Sequence, residues 1–247
     1  MDAGRRYLAD LHIHSYLSPC ASRSMSPAAI ADHSAGLGLD IIAVADHNSG
    51  ANARCVEDEC RRAGILAVPA MEICTAEEVH VLAYLPSLDA LAGLQYVVDG
   101  CLMKGSNRPD IFGEQWISMP EGAIAHEPRL LAAATSLGID ELVGIIYSHG
   151  GAAVPAHVDR PSYSVVSVLG FLPQSLRGAT LEVSWIHRLA DVSAIDEMRG
   201  HALVSSSDAH SLDEIGRGCS LLTLDQLTIE AVVAALAGAA PGQVEIE

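Results

Sequence analysis

Basic side chains are scarce in this sequence of 247 residues, which has one lysine, Lys104, and 14 Lys and Arg in total against 31 Asp and Glu. The net charge of −17 argues against binding to nucleic acid, because proteins that bind a duplex use basic side chains to displace phosphate counterions. We therefore expect a nucleic-acid polymer or an acidic membrane to be a poor partner. Carboxylates that bind divalent cations make the local charge positive, so a negative net charge still allows an anionic substrate at one site.

Long apolar runs and cysteine pairs are also missing. No segment approaches the roughly 18 unbroken apolar residues of a membrane span, and residues 1–10 lack the apolar centre of a signal peptide. The six cysteines include no CxxC pair, so we expect free thiols in a reducing compartment. We predict a soluble, cytoplasmic protein with a packed core, and these features leave its oligomeric state open.

Apolar runs alternate with helix-like segments, which is typical of parallel βαβ units. The expected strands cover residues 8–13, 41–45, 65–70, 79–85, 143–147, 152–156, 180–184, 202–206 and 220–224. We predict one helix that opens at Ser26-Pro27, one from about 51 to 63 and a closing helix from 225 to 238. The alternation of strand-like and helix-like segments weakens from about 86 to 140, where we predict an insertion with one helix near 129–137. The length fits one α/β barrel domain over 1–247.

Histidines and carboxylates recur where the predicted strands end. His12 and His14 are two residues apart on a strand, so their imidazoles point to the same face. Asp208 and His210 repeat this spacing after a later apolar run. Further ligand types are found at or near four other strands: Asp46-His47, Glu72, His80 and His157. Barrel strands bring such ends together, and mixed imidazole and carboxylate donors suit Zn, Mn or Fe, so we predict a polynuclear metal site.

The motifs DLHIHS, VADHN, AMEI, EVHVLAY, PAHVDRP and SSDAH follow one another along the chain. This set resembles the PHP family, named for its polymerase and histidinol-phosphatase members, and is similar to that family's stand-alone metal-dependent phosphoesterases. The resemblance covers residues 7–85 and 143–218. It implies a distorted (β/α)7 TIM-like barrel that carries two or three divalent metal ions at the C-terminal rim of its strands.

The resemblance also implies a set of metal ligands. They are His12, His14, Cys20, His47, Glu72, His80, His157, Asp208 and His210. A first metal would be bound by His12, His14, Glu72 and Asp208. Glu72 would bridge to a second metal on His80 and His157, and His47 and His210 would belong to a third. From the same set we assign Glu72, Asp208 and His210 to the catalytic group.

The third site departs from the family pattern at one position. Many relatives have a His or Asp where this chain has Pro19 and Cys20. Cys20 could bind as a thiolate, which would favour Zn or Fe over Mn, or it could be a loop thiol beside a weak or empty site. We expect Asp46 to orient a ligand rather than to bind metal, because metal-bound histidines commonly need a carboxylate partner.

Three arginines beside the motifs are candidates for binding a phosphate group, namely Arg160, Arg217 and Arg23. Each is equally compatible with a solvated or ion-paired side chain. The leading hypothesis is a phosphoesterase that hydrolyses a small phosphate monoester or nucleotide through a metal-activated hydroxide. Phe112 and Trp116 in the insertion could shape the pocket and stack on a base.

Three alternatives stay open at this point. An amidohydrolase would need a carbamylated lysine to bridge the metals, and the one lysine lies in the insertion. A nuclease is disfavoured by the net charge. A non-catalytic metal-binding accessory or regulatory module would retain the ligands without turnover.

Overall fold

The computed structural model describes residues 4–119, 122–186, 198–238 and 243–246. The strands are β1 (Arg5–Ile13), β2 (Ile41–Val44), β3 (Leu66–Ala67), β4 (Ala70–Cys74), β5 (His80–Tyr84), β6 (Trp116–Ser118), β7 (Ile124–His126), β8 (Ala152–Pro155), β9 (Leu181–Ser184), β10 (Leu203–Ser206), β11 (Ser220–Leu224) and β12 (Val244–Ile246). The helices are α1 (Pro27–Gly36), α2 (Ala53–Ala63), α3 (Leu88–Cys101), α4 (Pro109–Phe112), α5 (Ile139–Ser148), α6 (Val165–Leu169) and α7 (Ile229–Gly238).

The strands form a mixed α/β arrangement of several sheets. The hydrogen-bonded orders are β12-β11-β1-β2-β3, β4-β5-β8, β9-β10 and β6-β7. Isolated bridges join Ile13 to Ala209 and His47 to Glu72, so the ends of these sheets lie against one another. The prediction of an α/β fold is therefore confirmed, whereas the (β/α)7 barrel stays a prediction, because the ladders within the described ranges do not close into one sheet.

Strand direction also differs from the expectation of parallel βαβ units. β1, β2 and β3 are parallel, and so are β9 and β10. β4, β5 and β8 are antiparallel. The reason is the short connection at 75–79, which allows a hairpin between β4 and β5 but is too short for a crossover helix.

The predicted helices near the N-terminus are confirmed. The Ser26 side chain accepts a hydrogen bond from the backbone N–H of Ala29 at the start of α1. α2 ends at Gly64, which has a φ of 79°. This left-handed backbone conformation is accessible to glycine without the steric strain that a Cβ atom causes. The closing helix within 225–238 is confirmed as α7.

Two predictions between residues 129 and 147 are wrong. The expected strand at 143–147 lies within α5, because Ile139, Leu142, Val143 and Ile146 recur at helical spacing and are all buried on one face. The expected helix at 129–137 is irregular chain, whereas residues 88–101 form α3. The Ser87 side chain caps α3, which buries Leu91, Leu94 and Val98 in the core that also contains β5 residues.

The β6–β7 hairpin and the chain before it lie against the loop between β1 and α1. Gly113 has a φ of 100°, and a Cβ atom there would collide with the carbonyl oxygen of Pro19. The backbone N–H of Trp116 donates to the carbonyl of Tyr16 at 3.0 Å. This contact places the hairpin beside the loop that follows His14. The described helices include none long and apolar enough to cross a membrane.

Candidate metal centre

Glu72 on β4 lies at the centre of a buried cluster of histidines. Its Oε1 is 2.8 Å from Nδ1 of His80, and its Oε2 is 2.8 Å from Nδ1 of His47. His157 Nε2 is 3.5 Å from Oε1. The antiparallel β4–β5 ladder and the bridge between His47 and Glu72 bring these side chains together from separate parts of the chain.

His12 and His14 form the second half of the cluster with Asp208. The Nε2 atoms of the two histidines are 3.1 Å apart. Asp208 Oδ1 is 3.1 Å from Nε2 of His14 and 3.4 Å from Nε2 of His12. The same histidine atoms are each 3.5 Å from a carboxylate oxygen of Glu72. The two carboxylates and two imidazoles therefore converge on one point.

Hydrogen bonds on the outer side fix the orientation of both imidazoles. His12 Nδ1 is 3.1 and 3.2 Å from the carboxylate oxygens of Glu182, which is 2% exposed. Ser18 donates to Asp46 Oδ1 at 2.7 Å, so its oxygen accepts from Nδ1–H of His14 at 2.9 Å. In its neutral form each imidazole therefore directs the lone pair of Nε2 into the cluster, an arrangement that suits binding of a cation.

The protonation states of the cluster match this reading. Burial and the neighbouring His210 and His47 hold the pKa of His14 well below its ordinary value, so this imidazole is neutral. Burial works to raise the pKa of Glu72, but His80, His12 and His47 outweigh it and hold that pKa well below the usual range. Asp208 behaves in the same way, so both acids are carboxylates at neutral pH.

Burial works to lower the pKa of His12, but the carboxylates of Glu182, Asp208 and Glu72 hold it well above its ordinary value. The pKa of His47 is raised in the same way by Glu72, so in the absence of a cation more than one imidazole of the cluster carries positive charge beside the acids. A divalent ion held by these donors would supply positive charge in their place.

His210 and Cys20 lie at the outer edge of the cluster. His210 Nδ1–H donates to the carbonyl oxygen of Asp208 at 2.7 Å, and its ring centroid is 4.4 Å from that of His14. Cys20 is exposed. Burial works to raise the pKa of its thiol, but hydrogen bonds with His210 and His47 outweigh it and lower that pKa to about 7. The donor group of His14, His47 and His210 does not include Cys20, so its binding to a third metal stays a prediction.

Three groups of donor atoms have the spacing of metal sites. They are His12, His14 and Asp208; His47, Glu72 and His80; and His14, His47 and His210. His157 adds a buried Nδ1 with no hydrogen-bond partner among the described residues. Several imidazoles that converge on two ionised carboxylates in a buried position fit divalent metal ions.

The three candidate arginines have different surroundings. Arg160 Nη1 is 2.6 Å from Asp208 Oδ2, so this guanidinium contacts the cluster. Arg217 points to the surface, where it pairs with Asp213 at 3.2 Å and lies over Trp185. Arg23 lies over the ring of Trp116 at 4.8 Å. Asp46 contacts Ser18, which in turn contacts His14 Nδ1, and the expectation that Asp46 orients a metal ligand stays a prediction.

Sequence reasoning missed Ser18 and left the role of Glu182 open. Ser18 comes four residues after His14 in an irregular loop, so no strand or helix period relates the two. Glu182 lies 170 residues from His12, and its apolar neighbours Leu181 and Val183 gave a weak signal that it faces inward.

No family model and no curated protein matches this chain. Solved structures do match it. The lesion-specific endonuclease EndoQ from Pyrococcus furiosus superposes with a TM-score of 0.71 at 18% identity, over 98% of this chain and 58% of that chain. A metal-dependent phosphoesterase from Bifidobacterium adolescentis superposes with a TM-score of 0.56 at 17% identity, over 82% of this chain and 87% of that chain. The chain therefore has a PHP-like fold, as the motifs predict, and spans about 58% of the endonuclease's length.

One expectation from the sequence is wrong. A structure of Endonuclease Q contains a 27-mer duplex with an abasic lesion at its active site, and it superposes on this chain with a TM-score of 0.70 at 19% identity, over 98% of this chain and 58% of that one. The same fold accommodates DNA, so a nucleic-acid polymer is not excluded as a partner. The prediction from net charge was wrong because net charge sums all residues of the chain, whereas binding of an anionic ligand depends on the few groups and ions at the site.

Proposed function

We propose that this protein hydrolyses phosphate esters with two or three divalent metal ions, Zn, Mn or Fe, held by the buried cluster. The observation that carries the proposal is the contact of Arg160 with Asp208 at 2.6 Å. It places a guanidinium, whose geometry matches a phosphate group, directly against the donor atoms that fit metals. The other arginines near the motifs are candidates for substrate contacts farther out.

The residues of the cluster have distinct parts in this proposal. His12, His14, Glu72 and Asp208 would hold one ion, and Glu72 with His80 and His157 would hold another. His47, His210 and Cys20 would be available for a third. When bound, such ions would lower the pKa of a water molecule and neutralise charge on phosphoryl oxygens. In this proposal Arg160 exchanges Asp208 Oδ2 for a phosphoryl oxygen of the substrate. Glu72 and Asp208 inside the cluster and His210 at its outer edge form the predicted catalytic group.

Two substrate classes are consistent with this chemistry. The first is a small phosphate monoester or nucleotide, in line with the phosphoesterase of similar fold. The second is a phosphodiester in DNA, which the superposition on Endonuclease Q over 98% of this chain favours. The donor set and Arg160 serve either bond, since both reactions place negative charge on phosphoryl oxygens.

The test measures phosphate release from monoesters, nucleotides and 3′,5′-bisphosphates, and strand cleavage of a labelled duplex with one abasic site. Mn- and Zn-loaded protein is compared with Asp208→Ala and with the matched control Asp213→Ala, which removes an exposed carboxylate that pairs with Arg217. Turnover that Asp208→Ala abolishes and Asp213→Ala retains supports the proposal. The better substrate decides between the two classes. Protein that holds two metals per chain and turns over no substrate refutes the proposal.

A further inference from the structure

A cavity of about 550 Å³ lies beside the loop that follows His14, between that loop, α1, α2 and the β6–β7 hairpin. Its volume is in the range of small-molecule sites. Aromatic and apolar side chains line it on one side, and carboxylates of α2 line it on the other. The lining residues used below are Tyr16, Arg23, Ala28, Asp58, Glu59 and Trp116.

The aromatic side of this cavity has a planar group already stacked on it. Arg23 lies over the Trp116 ring at 4.8 Å, and Tyr16 meets the same ring edge-on with centroids 5.7 Å apart. The Arg23 side chain is 70% exposed, and its contact to Glu114 is 3.5 Å long. The indole face thus accepts a flat, hydrogen-bonding group, and a ligand can displace this weakly held one.

The opposite side of the cavity favours donor groups and disfavours anions. Asp58 pairs with Arg61 through Oδ1, and Glu59 pairs with Arg62 through Oε2. Each of these ion pairs uses one carboxylate oxygen, so the other oxygen of each acid is available to accept from an amino group. A phosphate group bound at this side would be repelled by the same carboxylates.

A second cavity of about 310 Å³ adjoins the first. The two share Tyr16, Arg23 and Trp116, and the second is also lined by Pro19, the residue before Cys20. A ligand that spans both would therefore lie against Trp116 and reach the loop that contains Cys20.

We infer that the larger cavity binds a nucleobase of the substrate, stacked on Trp116. The combination of an aromatic face that already stacks on a planar guanidinium and carboxylate acceptors on the opposite side is the chemistry that recognises a flat heterocycle with amino groups. This inference rests on the proposed function and narrows its substrate to one that contains a base, either a free nucleotide or an unstacked base in a DNA strand.

The first experiment measures binding without turnover. Nucleosides, which have no phosphate, and a single-stranded tetranucleotide are titrated into the metal-loaded full chain while tryptophan fluorescence is recorded. The chain has two tryptophans, so Trp116→Leu and the matched variant Trp185→Phe separate their signals. We expect saturable quenching that Trp116→Leu abolishes and Trp185→Phe retains. The titrant that binds more tightly identifies the source of the base.

The second experiment compares kcat/KM for a nucleotide with that for p-nitrophenyl phosphate, which has no nucleobase. We expect Trp116→Leu to lower the nucleotide value by about 5- to 100-fold, the usual range for loss of base stacking, and to leave the other value within about twofold. Ala28→Phe fills the cavity from α1 without altering the hairpin and should have the same effect. It keeps the test valid if Trp116→Leu does not fold.

Two outcomes overturn the inference. One is quenching by none of the base-containing titrants. The other is an equal loss on both substrates for the folded Ala28→Phe variant, which would make the cavity structural. Failure of the proposed function is a separate result, because it abolishes turnover of every phosphate ester while nucleoside quenching persists.

Discussion

Glu182→Gln is the most informative single change, because it keeps the size of a buried side chain and alters what it can accept. The Glu182 carboxylate lies 3.1 Å from His12 Nδ1 and accepts the backbone N–H of His157 at 3.0 Å. Oε2 is the oxygen nearest to both donors, and Oε1 also lies 3.2 Å from His12 Nδ1. A glutamine has one acceptor oxygen, so its NH₂ group takes the place of one of the two oxygens that face His12 Nδ1.

The consequence for metal binding follows from the tautomer of His12. If the amide oxygen keeps the His157 N–H, the NH₂ group faces His12 Nδ1 and favours the tautomer with its proton on Nε2. That proton would point at His14 Nε2, 3.1 Å away, where the lone pair is needed. We expect metal affinity to fall about 10- to 100-fold, the usual effect of losing such a partner.

The assay is a competition titration of Zn against a chelating dye, with the metal-free protein checked for folding by circular dichroism. Glu127→Gln is the matched control, because Glu127 is also buried but pairs with Arg129 outside the cluster. A folded Glu182→Gln protein with wild-type Zn affinity would refute the argument that this carboxylate sets the His12 tautomer.

Three further predictions test other parts of the structure. Iodoacetamide should label Cys20 of the metal-free protein at a rate that rises with pH through about 7, because the thiolate forms there, and bound Zn should protect this thiol. Cys60, whose pKa burial raises to about 12, should react far more slowly. Equal labelling rates for the two cysteines would contradict this prediction. Arg160→Ala should lower kcat/KM for phosphate esters by about 100-fold with unchanged metal content, as measured by steady-state kinetics and metal analysis. Gly113→Ala should lower the free energy of unfolding by more than about 1 kcal/mol, whereas Gly36→Ala in α1 should raise it by about 0.5–1 kcal/mol. Denaturant titration measures both values, and a change of the same sign and size in the two variants would contradict the prediction.

Local rules explain which features of the fold could be predicted. The cap of α1 at Ser26 and the end of α2 at Gly64 depend on neighbouring residues, and both are as expected. The strand predicted at 143–147 failed because its β-branched residues also fit a helix, and burial of the α5 face decided between the two. Helix α3 was missed because Gly and Asp within it weaken its local signal.

The candidate site also has some features that the sequence predicts and others that only the packed structure shows. The i,i+2 spacing alone indicates that His12 and His14 share one face of a strand, and the residue types alone indicate a metal site. Sequence also named Arg160, but nothing local distinguishes it from Arg217 and Arg23. Its contact with Asp208 joins residues 48 apart, and only the packed structure shows that it reaches the cluster.

The sequence by itself determined the kinds of ligand, the strand ends that carry them and the PHP-like fold they imply, because spacing along a strand and residue chemistry are local properties. Tertiary structure alone decided that Glu72 lies between His47 and His80, that Glu182 orients His12, and that Trp116 lines a cavity next to the loop after His14. These relations join distant parts of the chain, and their geometry depends on how strands and loops pack around the shared core.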